Sequence, residues 1–133
     1  MSGLISAPPR FYIDVGLGGL AVPALVRELG CEALTKVQVF GQRKVEDTEW
    51  IAWADAADLV VLTKDDAIRR RPLERAALAE SRLRVFCLTN ANLTKAQQVA
   101  RFEERWPAIL RRCAQPGPFV CGVYTDRLQD LNI

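Results

Sequence analysis

The sequence contains no histidine among its 133 residues. This absence excludes imidazole acid–base catalysis, Ser-His and Cys-His nucleophilic pairs, and mixed cysteine–histidine zinc sites. The four cysteines, two or more of them in apolar runs, show no CxxC spacing: Cys31, Cys87, Cys113 and Cys121. We expect reduced, buried thiols rather than zinc ligands or disulfides. A hydrolase with this composition would depend on carboxylates and a hard metal ion.

Long apolar runs are also missing. No stretch approaches the roughly 20 apolar residues that a membrane span needs, and residues 1–10 lack the basic start and apolar centre of a signal peptide. We therefore expect a cytoplasmic protein that does not contact a membrane.

Half of the residues are hydrophobic and 8% are aromatic, which excludes a disordered or fibrous chain. A chain of this length can bury its own core, so we expect one domain over residues 1–133. Its core should cover about residues 11–124, with a short leader before it and a polar tail, residues 125–133, after it.

The net charge is only +2, but the charges are unevenly distributed. Acids cluster at residues 46–49 and 65–66, and arginines at 69–71, 82–84 and 101–112. Most of the basic residues are arginine, whose planar guanidinium suits phosphate, so a polyanionic partner fits the pattern. Solvated helix faces explain it equally well.

The apolar pattern predicts strands and helices in alternation. The predicted strands cover residues 11–15, 32–40, 59–62, 84–88 and 119–124. Helices are predicted over residues 20–29, from Asp47, over 72–80, and after Thr94, which forms a capping box with Gln97; Pro107 is a candidate kink. This order predicts an α/β, three-layer fold: a mostly parallel sheet of about four to five strands with helices on both faces.

The stretch from residue 45 to residue 66 combines two acidic clusters with one helix and one strand. Asp47 is predicted to cap the helix, and Glu49 places negative charge in its first turn. Asp65 directly follows the apolar strand over residues 59–62.

Three aspartates recur where strands give way to loops. Asp14 ends the first strand, Asp47 follows the second, and Asp65 follows the third. The carboxyl ends of parallel strands meet at one edge, where ligands bind in open α/β sheets. Clustered carboxylates repel one another, and a bound Mg²⁺ or Mn²⁺ relieves that repulsion, so we predict a metal site there.

Other polar residues are secondary candidates for the same edge. As second-choice ligands or water-positioning groups we include Glu46, Glu49 and Asp66, although each can equally be a solvated acid. Asn90 and Asn92 follow the fourth strand, where they could orient a ligand or simply form turns.

The same residues resemble a known family. Asp14 before a helix, the run Asp47-Thr-Glu49-Trp50, and Leu62-Thr-Lys-Asp65 followed by three arginines and a proline resemble the PIN-like domain of VapC-type ribonuclease toxins. The stretch over residues 88–94, LTNANLT, also resembles this subgroup, and the likeness covers about residues 11–124.

The resemblance implies a metal-dependent endoribonuclease that a cognate antitoxin neutralises, with Asp14, Asp47 and Asp65 as its Mg²⁺ or Mn²⁺ ligands. The helix acid that the larger PIN family carries between the first and third aspartates has no clear counterpart, and Glu28 is only a candidate. Val15 stands where short PIN-like sequences often carry an acid.

An RNA substrate would need cations close to these acids. The arginines next to Asp65 are predicted to contact the RNA backbone, with Lys64, Asn90 and Asn92 as further contacts: Arg69, Arg70 and Arg71. A homodimer is implied by the resemblance, and Trp53 is either part of its surface or part of the core.

Two other functions compete with this one. The Gly16-x-Gly18-x-x-Ala21 spacing formally matches a dinucleotide fingerprint, but no acid ends the second strand to bind a ribose. The second alternative is a PIN-like module that binds an antitoxin or RNA without catalysis. Ligand binding separates the three functions. The endonuclease should bind Mn²⁺, a dinucleotide-binding protein should bind NAD instead, and an inert module should bind neither.

Overall fold

The computed structural model describes residues 7–90 and 92–133. Its strands are β1 (Arg10–Ile13), β2 (Glu32–Thr35), β3 (Val60–Thr63), β4 (Arg84–Leu88), β5 (Phe119–Val123) and β6 (Leu128–Leu131). Its helices are α1 (Ala21–Glu28), α2 (Lys36–Phe40), α3 (Asp47–Ala56), α4 (Pro72–Glu80) and α5 (Lys95–Cys113). Most of the predicted leader, residues 1–6, lies outside the described residues.

The strands form one sheet in the order β2-β1-β3-β4-β5-β6. The first five are parallel to their neighbours, and β6 runs antiparallel to β5. The predicted α/β class and mostly parallel sheet are therefore confirmed, with six strands where four to five were expected.

Both faces of the sheet are covered, because alternate side chains of each strand point to opposite sides. Phe11 and Ile13 of β1 pack in a core that also contains buried residues of α1 and α5. Tyr12, between them, belongs to the second core, which contains buried residues of α3 and α4. β3 is buried at all four positions, as its apolar sequence predicts for a strand between two helical layers.

Two capping boxes, of the pattern Thr-x-x-Gln, open helices. The one at Thr94 and Gln97 was predicted, and α5 follows it and continues through Pro107. The other was missed: Thr35 accepts a hydrogen bond from the Gln38 backbone, and the Gln38 side chain accepts one from the Thr35 backbone. The predicted second strand over residues 32–40 is therefore wrong beyond Thr35, because this box starts α2.

The predicted polar tail is also wrong. Residues 128–131 form β6, which pairs with β5 from Val120–Leu131 to Val123–Leu128. Leu128 packs against the first core, while Leu131 and Ile133 pack against the second. The last residues of the chain therefore cover an edge of the sheet instead of trailing into solvent.

α4 and β4 have their predicted bounds. Trp53, for which a surface and a core position were both open, is half-buried, and its ring packs edge-on against Tyr12 and Phe40. All four cysteines are buried, free thiols. Burial raises the pKa of Cys87 to about 12, so this thiol is neutral at pH 7. Within the described ranges, no helix is both long and apolar enough to cross a bilayer.

The contribution of β6 can be tested with two substitutions in the same strand. We expect Leu131→Ala to lower the free energy of unfolding by about 1–2 kcal/mol, less than the 2–5 kcal/mol of a fully buried leucine because Leu131 is half-buried. Gln129→Ala, at an exposed position, should change it by less than about 0.5 kcal/mol. Urea unfolding measures both values; equal values would mean that β6 adds no packing.

Candidate active site

Asp14 lies directly after β1 and is the most buried of the predicted site acids, with 7% of its surface exposed. Its Oδ2 accepts a hydrogen bond of 2.7 Å from the hydroxyl of Thr63, the last residue of β3. Burial raises the pKa of Asp14, the Thr63 hydrogen bond opposes that rise, and the negative charges of Asp47 and Asp65 add to it. The carboxylate is thus held in place by one neighbour and destabilised by two others.

Thr63 links two of the acids. It is fully buried, and its Oγ1 also accepts a hydrogen bond of 3.0 Å from the backbone N–H of Asp65. Sequence analysis did not select Thr63, although a hydroxyl ending a buried apolar strand, two residues before an acid, was a usable signal.

Arg71 joins Asp65 to the third acid, Asp47. Its Nη1 lies 3.2 Å from Asp47 Oδ2 and 3.0 Å from Asp65 Oδ2, and its Nη2 lies 3.3 Å from Asp65 Oδ1. The guanidinium is therefore bidentate on Asp65 and bridges to Asp47. All three side chains are partly exposed, so solvent reaches the bridge.

Local structure places Arg71 at this position. Asp65 Oδ1 accepts from the Ala67 backbone and caps a short 3₁₀ turn over Asp66–Arg69, in which Ile68 is buried. Pro72 then begins α4, where its fixed φ and missing N–H suit a first helical turn. The turn and the proline fix the backbone on both sides of Arg71 and leave its side chain free to reach the acids.

Asp47 has a different role from the predicted one. Glu46 is the N-cap residue of α3, without a side-chain capping bond, and Asp47 is the first helical residue. Its Oδ1 accepts from the indole N–H of Trp50 at 2.9 Å, which orients the carboxylate. The prediction that Asp47 caps the helix is therefore wrong.

The remaining arginines of the tract are bound to an acid of their own. Arg69 and Arg70 both pair with Asp66, at 2.7 Å and 2.6 Å, and Arg69 also donates to the Asn132 carbonyl. These pairs lower the pKa of Asp66, chiefly through the Arg69 hydrogen bond. Two of the three arginines predicted to contact RNA are therefore already paired with Asp66.

The second-choice acids are engaged away from Asp14. Glu46 pairs with Lys44 and Glu49 with Arg43, all on exposed side chains. Glu46, Glu49 and Asp66 thus form surface ion pairs, in line with the second of their two predicted roles, that of solvated acids. Glu28, the candidate helix acid, is exposed at the end of α1, which leads to the start of β2 at the opposite edge of the sheet.

Asn90 and Asn92 lie after β4, on the edge that carries Asp14 and Asp65, and both are exposed. Asn90 Oδ1 accepts from the Asn92 backbone at 2.9 Å, so it forms a turn, which was one of the two predicted roles.

Lys64 lies beside the glycine-rich loop over residues 16–19, where a Cβ on Gly16 would be 3.6 Å from the Lys64 Cε. Lys95, which sequence analysis missed, donates to the Leu17 carbonyl in the same loop.

An apolar cavity of about 310 Å³ opens next to this loop. Its lining includes three exposed hydrophobic side chains, those of Val15, Leu20 and Val37. Val15 therefore presents an apolar surface immediately after Asp14.

The three aspartates suit a hard metal in chemistry, since carboxylate and hydroxyl oxygens are the donors that Mg²⁺ and Mn²⁺ prefer. The charges of Asp47 and Asp65 add to the rise of the Asp14 pKa, and the Arg71 guanidinium is the cation that bridges Asp47 and Asp65. Within residues 7–90 and 92–133, however, no three acids, cysteines or histidines are arranged to hold an ion as they stand. Whether the three aspartates form one metal site stays a prediction.

The chain is similar in sequence to known proteins. A family described as PIN like domain matches residues 9–90, which include Asp14, Asp47, Asp65 and Arg71. The chain is 30% identical over 128 residues to Putative ribonuclease VapC45 of Mycobacterium tuberculosis, a match that covers 94% of this chain and 93% of that protein. No solved structure matches the chain significantly. The dinucleotide-binding alternative finds no support among these matches, and the chain belongs to the PIN-like domain family, as a protein of the VapC type.

Proposed function

We propose that this protein is a metal-dependent endoribonuclease and the toxin of a type II toxin–antitoxin module. The observation that carries the proposal is a series of contacts that connects the three aspartates at the carboxyl edge of the sheet. Thr63 binds the Asp14 carboxylate and the Asp65 backbone, and Arg71 binds the carboxylates of Asp65 and Asp47. Ribonuclease activity is supported by the name of the mycobacterial relative and by the family. The metal dependence of this activity is proposed from the chemistry of the aspartates alone.

Asp14, Asp47 and Asp65 would hold one or two Mg²⁺ or Mn²⁺ ions. Such an ion, when bound, polarises the scissile phosphate and lowers the pKa of an attacking water. The chain contributes orientation: Thr63 fixes Asp14, and the Trp50 indole fixes Asp47. Fixed ligands lose little entropy on binding, so a site supported by such contacts favours catalysis.

The substrate would be bound through its phosphates. Arg70 and Arg71 are the more exposed arginines of the tract, whereas Arg69 has only 21% of its side chain exposed. We therefore assign the backbone contacts first to Arg70 and Arg71, with Lys64, Asn90 and Asn92 at the rim, and give Arg69 the structural task of holding Asp66.

The partners and location follow from the same assignment. The VapC name of the relative supports a cognate antitoxin that binds this protein and blocks cleavage. We place the protein in the cytoplasm, where its RNA substrate is, and keep a homodimer as part of the proposal. The Trp53 ring, being packed in the second core, is an unsuitable centre for such an interface.

A non-catalytic binding module is the second candidate function. It is favoured by the engagement of Asp47 and Asp65 with Arg71, since an inert domain could retain this ion pair for stability alone. Metal binding separates the two candidates, because an inert module of this kind has no need for Mn²⁺.

Cleavage assays test the proposal directly. We expect Mn²⁺-dependent cleavage of single-stranded RNA, and a loss of about 100-fold or more in Asp47→Asn, since even changes beside a metal ligand cost about 10–100-fold. RNA affinity should stay the same or rise slightly, because the variant loses a negative charge that faces the substrate.

Asp58→Asn is the matched control for this change. Asp58 carries an exposed carboxylate between α3 and β3, at the opposite edge of the sheet, and its positive φ of 55° suits asparagine. It should cleave RNA at the wild-type rate. Equal activity of wild type, Asp47→Asn and Asp58→Asn would contradict the assignment of Asp47.

Asp14→Asn should change the dependence of stability on pH. Because burial raises the folded-state pKa of Asp14, ionising it costs stability above that pKa, and the cost disappears as the pH falls toward the ordinary value of 3.8. Without metal, Asp14→Asn should therefore be more stable than wild type at pH 7.5, and the difference should vanish near pH 4. Thermal unfolding across this range measures it, and a difference independent of pH would contradict the role of burial.

A further inference from the structure

Arg71 occupies the position between two carboxylates that the proposed function assigns to a metal ion. Its Nη1 hydrogen-bonds to Oδ2 of both Asp47 and Asp65, and its Nη2 hydrogen-bonds to the other oxygen of Asp65. A cation placed there relieves carboxylate repulsion as a divalent ion would. The guanidinium and the ion use the same oxygens and repel each other, so binding of one must weaken binding of the other.

The Arg71 side chain is suited to leaving this position. It is 43% exposed, and its two partners are about one-third exposed, so the pairs are surface ion pairs of small net strength. The turn before it and Pro72 after it fix the backbone, so only side-chain torsions need to change. Arg69 differs, because it is mostly buried and tied to both Asp66 and the Asn132 carbonyl.

A displaced Arg71 stays close to the substrate. The side chain is anchored six residues after Asp65, at the start of α4 on the same edge of the sheet. A guanidinium that has lost its carboxylates recovers the same bidentate geometry on a phosphate.

We propose that Arg71 is an internal cation that is exchanged for the metal. In the metal-free protein it holds Asp47 and Asp65; when a divalent ion binds these acids, the guanidinium moves away and binds a phosphate of the RNA. Arg71 is thus a positioning residue that couples metal binding to RNA binding, and by linkage each ligand strengthens the other. This inference rests on the proposed metal site.

Titration with Mn²⁺ alone tests the exchange. Isothermal titration calorimetry on the full chain should show that Arg71→Gln binds Mn²⁺ about three- to tenfold more tightly than Arg70→Gln. Arg70→Gln is the matched control. It removes the same charge from the neighbouring residue, but Arg70 pairs with Asp66 and not with Asp47 or Asp65. Arg71→Lys, which keeps the charge but loses the fork, should fall between wild type and Arg71→Gln, and it serves for the comparison if Arg71→Gln does not fold.

The outcomes separate the exchange from the proposed function. Mn²⁺ bound by Arg71→Gln but not by wild type, or bound more tightly by Arg71→Gln than by Arg70→Gln, supports the exchange. Equal Mn²⁺ affinity in the two variants would overturn the exchange and leave the metal site in place. Absence of Mn²⁺ binding in every variant and in wild type would overturn both.

RNA binding tests the second half of the coupling. The probe is a short fluorescent 2′-O-methyl RNA whose integrity is checked on a denaturing gel, and affinity is measured by anisotropy over a range of salt. With Mn²⁺, wild type should bind more tightly than Arg71→Gln, and its plot of log affinity against log salt should be steeper by about 0.7, the value for one phosphate contact on a single strand. Without Mn²⁺ the difference between the two proteins should be smaller, because the carboxylates then hold Arg71. A difference of the same size with and without Mn²⁺ would overturn the coupling.

Discussion

The burial of the Asp14 carboxylate close to two further acids is the constraint on which this edge of the structure depends. Asp14 is buried, and its pKa is raised by burial and by the charges of Asp47 and Asp65. Two contacts compensate: the Thr63 hydroxyl stabilises Asp14, and the Arg71 guanidinium joins Asp47 to Asp65. A protein selected only for stability could replace such acids with apolar or neutral residues, because clustered charge costs free energy of folding. The proposed function gives this cost a reason, because there the acids hold a divalent cation.

The fold follows from the sequence where local and long-range preferences agree. β3 is apolar at each predicted position and lies between two helical layers, and α4 begins at the proline that its sequence selects. The second strand was overextended because Val37 and Val39 favour a strand by β-branching, whereas the capping box of Thr35 and Gln38 favours a helix, and the capping box prevails. β6 was missed because the contacts that stabilise it, its pairing with β5 and the packing of Leu128 and Leu131 against the cores, are long-range and leave no local pattern in the sequence.

The site follows from the sequence in part. The positions of Asp14 and Asp65 at strand ends were predicted, because parallel strands place their carboxyl ends at one edge. The partners of the charged side chains were not, since Arg71 meets Asp47 across 24 positions of the chain and only the folded backbone brings them together. The run of three arginines forms four ion pairs among the described residues, and the two made by Arg71 involve the first-choice metal ligands Asp47 and Asp65.

The central claim is that Asp14, Asp47 and Asp65 form one metal site from which Arg71 withdraws. Anomalous X-ray diffraction from crystals grown with Mn²⁺ tests it most directly, because the anomalous signal locates manganese without assumptions about its ligands. The account predicts a manganese peak in contact with carboxylates of these aspartates, with the Arg71 guanidinium no longer between Asp47 and Asp65. A crystal in which Arg71 still bridges the two acids, and manganese is bound elsewhere or not at all, would contradict it.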